Sequence, residues 1–316
     1  MSSSKVMRAW QYSSATGGLH KALALNTAAA HPRPTSPPKL AKNELLVRVR
    51  ASSLQHMDHI LAELPYGMSR LVVPPPASPV GDAVLGRLAP TRFGSLGEIV
   101  VAKANSCAPI PAGLSMVDAS AIPSCGLTAY QCIVPYIPEA GEASGKFRIF
   151  IHGGSGGCGT FGIQIAKILG CHVTTSCSTR NVDLCKSLGA DEVIDYTKGN
   201  LLESLKGSEG GFSLIVDNVG TPANLYKESD NFLLPQGTFV QVGADVSIQG
   251  TLSLTSRMLG RRLSDDAAVL ARIAEWTAAG RMKSVFEVFE FADAPKAIER
   301  LQQRPSHGKV VVKGAD

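Results

Sequence analysis

No uninterrupted apolar run in this sequence approaches the roughly 18 to 20 residues that a membrane-spanning helix needs, so no membrane span is expected. The polar start Met1-Ser2-Ser3-Ser4-Lys5 lacks the charged-then-apolar order of a secretory leader, which predicts a soluble, cytoplasmic protein. The seven cysteines, at 107, 125, 132, 158, 171, 177 and 185, are an odd set without the paired spacing of a metal site or a disulfide framework. Most stand in apolar surroundings, where a reduced thiol acts as a small core residue. The 31 basic and 26 acidic residues leave a net charge of only +5. No basic arm with interleaved aromatics collects that charge, which argues against nucleic acid as a partner.

What is present is enough chain for two joined domains: 316 residues with 31 glycines and 19 prolines. The front third reads as strands and loops. Met7 to Tyr12, Glu44 to Arg50 and Leu96 to Ala102 have strand character, and the last two alternate or cluster apolar residues as a half-buried sheet does. His31 to Pro38 and Pro74 to Pro79 are too proline-rich for a central strand or a helix interior. Past Asp118 a helix is expected, and then the pattern becomes a β/α rhythm. Its strands are Arg148 to His152, His172 to Cys177, Glu192 to Asp195, Leu214 to Val219 and Thr238 to Val242. A helix over Asp265 to Ala279 follows, then a return module of strand (Val285 to Phe291), helix (Ala292 to Leu301) and strand (Lys309 to Val312). The fold class predicted is α/β, with a second, β-rich domain that is discontinuous in sequence.

The strand Arg148 to His152 runs straight into Gly153-Gly154-Ser155-Gly156-Gly157-Cys158-Gly159 and a helical segment. Gly154, Gly156 and Gly159 fit G-x-G-x-x-G in the strand-turn-helix setting that gives the pattern meaning. Missing side chains allow a tight turn, and the amides of the helix start face a pyrophosphate. The next strand ends at Cys177-Ser178-Thr179-Arg180. An acidic residue there often binds the adenosine ribose hydroxyls; its replacement by two hydroxyls and a guanidinium favours NADPH over NADH, with Ser178, Thr179 and Arg180 donating to the 2′-phosphate, and a solvated polar turn as the other reading. Tyr196 follows the third strand, beside the adenine or as a cover for the sheet edge. Val219 and Gly243 close the fourth and fifth strands, as walls of the nicotinamide site or as ordinary turns. Asp217 reads more readily as a buried carboxylate held by backbone donors than as a catalyst.

The run HGGSGGCGTFGIQIAKILG (152–170), followed by CSTRNVDLCKSLGADEVIDY (177–196) and VDNVG (216–220), closely resembles the medium-chain dehydrogenase/reductase superfamily. The resemblance is to its zinc-independent quinone oxidoreductase and enoyl-reductase branch. The segments VRVRASSLQHMD (47–58), VGDAVLG (80–86), AIPSCGLTAYQ (121–131) and HGKVVVKG (307–314) extend it over most of the chain. The resemblance implies a GroES-like substrate domain from residues 1–120, completed by a return segment at 284–316, enclosing a Rossmann cofactor domain at 121–283. It places Thr128 near the nicotinamide, with an ordinary helix hydroxyl contact as the alternative. It also places Gly154, Ser155, Gly156, Gly157 and the backbone of Cys158 around the pyrophosphate, and suggests a homodimer through the strand at 251–254.

Two departures bear on the chemistry. Where the family carries an asparagine-proline-x-aspartate segment, this chain has Gln55-His56-Met57-Asp58. Gln55 and Asp58 read either as substrate-orienting groups or as local loop bonding, and His56 and His59 as a proton relay or as structural residues. After Pro74 to Pro79 a strand-turn unit usual in the family is missing, which shortens the front domain. No cysteine with a glycine-histidine-glutamate arrangement and no four-cysteine lobe is present, so zinc is not expected. The reaction expected is NADPH-dependent reduction of an activated carbon-carbon double bond in a secondary-metabolic or detoxification intermediate, a small hydrophobic or carbonyl-containing substrate. Tyr66, a histidine relay or solvent would supply the proton. The alternatives are an NADPH-dependent quinone oxidoreductase and a cofactor-binding cyclase or non-catalytic interaction protein; a biosynthetic enzyme is a candidate partner.

Overall fold

The computed structural model describes residues 6–12, 15, 17–32, 40, 42–55, 58, 82–88, 95–138, 147–208, 210–243, 266–303 and 307–315. The chain divides into two compact units, one formed by 1–124 with 265–316 and the other by 125–264. The sequence expectations for His56, His59, Tyr66, the proline tract 74–79, the turn 139–145 and the strand 251–254 lie outside the described residues.

In the first unit, β1 (Val6–Gln11) pairs antiparallel with β2 (Ala24–Ala30), and the one-turn helix α1 (Leu19–Ala22) lies between them in sequence. Then come β3 (Glu44–Arg48), β4 (Ala51–Leu54), β5 (Val84–Gly86), β6 (Ile99–Lys103) and β7 (Cys107–Pro109). β3 pairs antiparallel with β6, and β5 with β7. Helix α2 (Met116–Ile133) runs through the division between the units, with Pro123 inside it. Ser115 caps its start, the Ser115 Oγ accepting from the Asp118 amide at 3.0 Å.

The second unit alternates strand and helix: β8 (Arg148–His152), α3 (Gly157–Ile168), β9 (His172–Cys177), α4 (Val182–Ser187), β10 (Glu192–Asp195), α5 (Leu201–Lys206), β11 (Phe212–Asp217), α6 (Leu225–Glu228) and β12 (Leu233–Gln241). The five strands form one parallel sheet in the order β10-β9-β8-β11-β12. The chain steps outward from β8 to β10, then returns to lay β11 on the other side of β8. That reversal opens a crevice at the carboxyl ends of β8 and β11, the switch point at which such sheets bind ligands. Ile149, Phe150 and Ile151 are fully buried, as a central parallel strand covered on both faces requires. Phe150 packs in a cluster with Phe212, Ile215, Leu225 and Phe232, and with Leu201 and Leu205 of α5. This is a Rossmann unit.

The chain then returns to the first unit. Helix α7 (Ala267–Ala278), capped by Asp266 accepting from Ala268 and Val269 amides at 3.0 and 3.1 Å, packs against β5 and β7. That packing explains why the second unit stops at residue 264, whereas the sequence reading carried the cofactor domain on to 283. β13 (Phe286–Phe289), α8 (Ala294–Gln302) and β14 (Lys309–Lys313) finish the fold. β14 lies between β13, parallel to it, and β4, antiparallel to it. Val310 and Val312 share a core with Leu19, Leu54, Ile298 and Leu301, and the Trp10 indole donates to the Phe291 carbonyl at 2.8 Å. The return segment is thus a structural part of the β-rich, GroES-like unit. No helix among the described residues is long and apolar enough to cross a membrane.

Candidate cofactor site

Strand β8 delivers His152 to the carboxyl edge of the sheet, where the imidazole is 3% exposed. Its Nε2 lies 2.6 Å from the Thr221 carbonyl and its Nδ1 2.5 Å from Ser176 Oγ on β9. A carbonyl can only accept, so Nε2 carries a proton and donates to it. Ser176 Oγ in turn accepts the Gly153 amide at 3.2 Å. One buried chain of hydrogen bonds therefore joins the turn after β8, the end of β9 and the loop after β11. The sequence reading treated His152 only as the end of a strand.

The glycine turn is shaped by its neighbours. A Cβ on Gly154 would stand 2.1 Å from Thr175 Oγ1, an atom already donating to the Ile151 carbonyl at 2.6 Å. Gly156 differs: a Cβ there would meet only the Gly153 carbonyl, at 3.4 Å, so its bare backbone faces open space. Ser155 lies between these two glycines, and Gly157 and the half-buried Cys158 open α3. The first-turn amides of a helix have no intrahelical acceptors, and the helix dipole adds positive potential. Such a turn can accept a phosphate pair.

Asp217, at the end of β11, is 2% exposed, and its Oδ1 accepts from the Val219 and Gly220 amides at 2.9 Å each. Its backbone carbonyl accepts from Val242 and Gly243 at 2.8 and 2.9 Å. One residue thus fixes both strand-end turns, bringing Val219 and Gly243 around the same edge of the sheet. With its carboxylate engaged by backbone donors, Asp217 is a loop-former. The Val219 side chain stands 41% exposed.

After β9 the three residues expected to act together have different surroundings. Ser178 Oγ accepts from Asn181 Nδ2 at 3.2 Å, and Arg180 is exposed and has no hydrogen-bond or ion-pair partner among the described residues. The Thr179 hydroxyl, by contrast, is 2.6 Å from the Asp195 carboxylate and 2.7 Å from Thr197 Oγ1. The Thr179 and Thr197 hydroxyls hold the Asp195 carboxyl below the usual carboxylate range. An ionised Asp195 takes the Thr179 proton, so the donor expected of Thr179 is already spent within the protein. Tyr196, 48% exposed, is tied to this corner by its amide, which donates to the Cys177 carbonyl at 3.2 Å.

Thr128, on α2, is 8% exposed, yet its hydroxyl has no partner among the described residues. Elsewhere on the helices the hydroxyls of Ser120, Thr160 and Thr277 donate back to carbonyls three or four residues earlier, at 2.8, 3.0 and 2.8 Å. Thr128 makes no such bond among the described residues.

In the first unit, the Gln55 amide donates to Asp58 Oδ2 at 2.6 Å and the Asp58 amide to the Gln55 carbonyl at 2.9 Å. The two residues therefore form a closed local turn. Burial pushes the Asp58 carboxyl above its ordinary range, with the Gln55 amide and the charge of Lys309 pulling it part of the way back. Lys309 is 5% exposed and donates from Nζ to the Leu54 carbonyl at 2.6 Å, an anchor the sequence reading did not single out.

Residues 188–312 match the family model described as zinc-binding dehydrogenase. Over 349 aligned residues the chain is 38% identical to the trans-enoyl reductase pgmF of Aspergillus terreus, with 97% of this chain and 96% of that protein covered. The chain belongs to the medium-chain dehydrogenase/reductase superfamily. Within the superfamily it is also 32% identical over 255 residues to the mitochondrial NAD(P)H oxidoreductase RTN4IP1 of Danio rerio, covering 73% of this chain and 66% of that one. Its fold is similar to that of the quinone oxidoreductase from Coxiella burnetii, with a TM-score of 0.77 at 24% identity, covering 98% and 100% of the two chains. As a member of the quinone oxidoreductase and enoyl-reductase branch, the chain is an oxidoreductase that uses a nicotinamide cofactor. Among the described residues no three His, Cys, Asp or Glu side chains gather to hold a metal ion.

Proposed function

We propose that this medium-chain reductase uses NADPH to reduce an activated carbon-carbon double bond, of the enoyl or enone type. The observation that carries the cofactor half is the turn after β9, where Ser178 and Arg180, the latter without a partner among the described residues, stand in place of a ribose-binding acid. The substrate half draws on the 38% identity to a trans-enoyl reductase across nearly the whole chain.

In this reading Gly154, Ser155, Gly156, Gly157 and the Cys158 backbone hold the pyrophosphate, and Ser178 and Arg180 hold the 2′-phosphate. Tyr196 lines the adenine side. Thr128, Val219 and Gly243 line the nicotinamide side, with the Thr128 hydroxyl donating to the ligand. We assign substrate binding to the first unit with its return segment, and cofactor binding to the second. When bound, a reduced nicotinamide would supply the hydride chemistry that reduces an α,β-unsaturated carbonyl at its β-carbon. Gln55, held in its turn by Asp58, orients the carbonyl oxygen through its side-chain amide. The α-carbon receives its proton from the phenol of Tyr66 or from solvent. We further propose that the protein works as a cytoplasmic homodimer, alongside the biosynthetic enzyme that makes its substrate.

The test is product analysis after incubation with NADPH and a panel of enones, enoyl thioesters and quinones. Saturated carbonyl products with matching NADPH consumption are expected. Turnover of quinones alone would replace the reading with quinone reduction. Cyclised product without net NADPH oxidation would replace it with a cyclase.

A further inference from the structure

We infer that Asn181 is a positioning residue that aims two serine hydroxyls at the cofactor phosphates, and through one of them sets the preference for a 2′-phosphate. The inference rests on the NADPH reading above and assigns a role to a residue outside the glycine fingerprint.

Asn181 ends the short turn Thr179–Asn181 that follows β9, and it is 7% exposed. Its amide nitrogen donates to the Ser178 carbonyl at 2.9 Å, which folds the residue back toward the strand end. Its side-chain Nδ2 then reaches Ser155 Oγ at 3.1 Å and Ser178 Oγ at 3.2 Å. A carboxamide nitrogen carries two protons, and here each has its own serine. A hydroxyl has one proton and two lone pairs, so a serine whose lone pair takes an N–H keeps its proton for another acceptor. Neither Ser155 nor Ser178 donates to any described residue. Ser155 sits in the glycine turn and Ser178 stands where the ribose-binding acid would be, so both donors are left for phosphate oxygens. Accepting from an amide also polarises a hydroxyl and strengthens it as a donor.

Thr179 provides the contrast within the same turn. Its proton goes to Asp195, so it cannot serve a phosphate in this way. Asn181 and Asp195 thus sort three neighbouring hydroxyls: two aimed outward and one retained. Replacing Asn181 by an acceptor reverses the sorting, because a carboxylate takes the serine protons and adds a negative charge near the phosphates.

The experiment measures Kd for NADPH and for NADH by calorimetry on the full-length protein. The proteins compared are the wild type, Asn181→Leu, Asn181→Asp, Ser178→Ala, Ser155→Ala and the doubles pairing Asn181→Leu with each serine variant. Asn181→Leu is expected to lower the NADPH-to-NADH preference by about five- to tenfold, and Asn181→Asp by more. In the Ser178→Ala background, Asn181→Leu should change that preference no further. In the Ser155→Ala background it should no longer weaken NADH. Equal losses from Asn181→Leu with and without each serine would overturn the inference, as would an unchanged preference in Asn181→Leu or Asn181→Asp. If Asn181→Leu proves unstable, Asn181→Ala, which removes the donor without adding charge, carries the same comparisons. A wild type without preference for NADPH would overturn the NADPH reading and the specificity role with it. The coupling of Asn181 to Ser155, read with NADH, would still decide the positioning role.

Discussion

His152 Nδ1 and Ser176 Oγ meet at 2.5 Å across the neighbouring strands β8 and β9, with both side chains buried. The imidazole also holds the Thr221 carbonyl, so the pair fastens the loops on both sides of the switch point. Replacing His152 by Leu leaves a buried hydroxyl and a carbonyl without their partner. Urea unfolding should show a loss of about 2–3 kcal/mol, and calorimetry a weaker affinity for both nicotinamide cofactors. Unchanged stability would mean that the buried chain does not hold the loops.

The two central glycines of the turn should fail differently. Gly154→Ala puts a Cβ 2.1 Å from Thr175 Oγ1, so it should lower thermal stability, and Thr175→Ala should restore part of the loss. Gly156→Ala meets nothing closer than 3.4 Å. It should leave the melting temperature near that of the wild type while weakening cofactor binding, because its cost appears only when a phosphate approaches the backbone.

Within the turn after β9, Arg180 and Thr179 should have unequal effects. Arg180→Ala is expected to raise the Kd for NADPH by roughly ten- to hundredfold and to leave NADH within about twofold, as loss of a charge-assisted phosphate contact would do. Thr179→Val should move the NADPH Kd far less, since the hydroxyl already serves Asp195. Equal losses from the two substitutions would contradict this division.

Asp58 gives a pH signature. Its carboxyl in the folded protein is raised above the ordinary value, so the folded state binds the proton more tightly than the unfolded chain does. Its effect on stability is favourable at acid pH. That contribution is lost as pH rises from the ordinary carboxyl value through the raised one. Asn at this position keeps an oxygen to accept from the Gln55 amide but carries no charge. Asp58→Asn should therefore gain stability relative to the wild type at neutral pH, with the difference shrinking as pH falls through the raised value and gone below about pH 4. Unfolding midpoints across that range check it, and a difference that grew on acidification would refute it.

The Rossmann unit was legible because its inner strands β8, β9 and β11 are buried runs set in a strand-helix rhythm. Arg148 to His152, His172 to Cys177 and Glu192 to Asp195 match β8, β9 and β10 residue for residue. The β-rich unit was less so. β2, with the sequence ALNTAAA, has little strand propensity and is mostly exposed; pairing with β1 holds it. β4, with the sequence ASSL, depends on β14, a strand that arrives from the far end of the chain. The glycine turn and the Ser178-Thr179-Arg180 turn were read from local pattern. The roles of His152, Asn181 and Lys309 come from contacts 24, 26 and 255 residues away in sequence, which no local pattern encodes. The same holds for Thr179, whose retention by Asp195 needs two neighbouring strands in register.

The most direct test of the account follows deuterium from the nicotinamide. NADPH labelled at the transferable position is incubated with an α,β-unsaturated thioester or ketone, and the product is examined by mass spectrometry and NMR. The account predicts a saturated carbonyl product carrying one deuterium at the β-carbon and a solvent proton at the α-carbon. An unlabelled product, or label consumed only when a quinone is present, would contradict it.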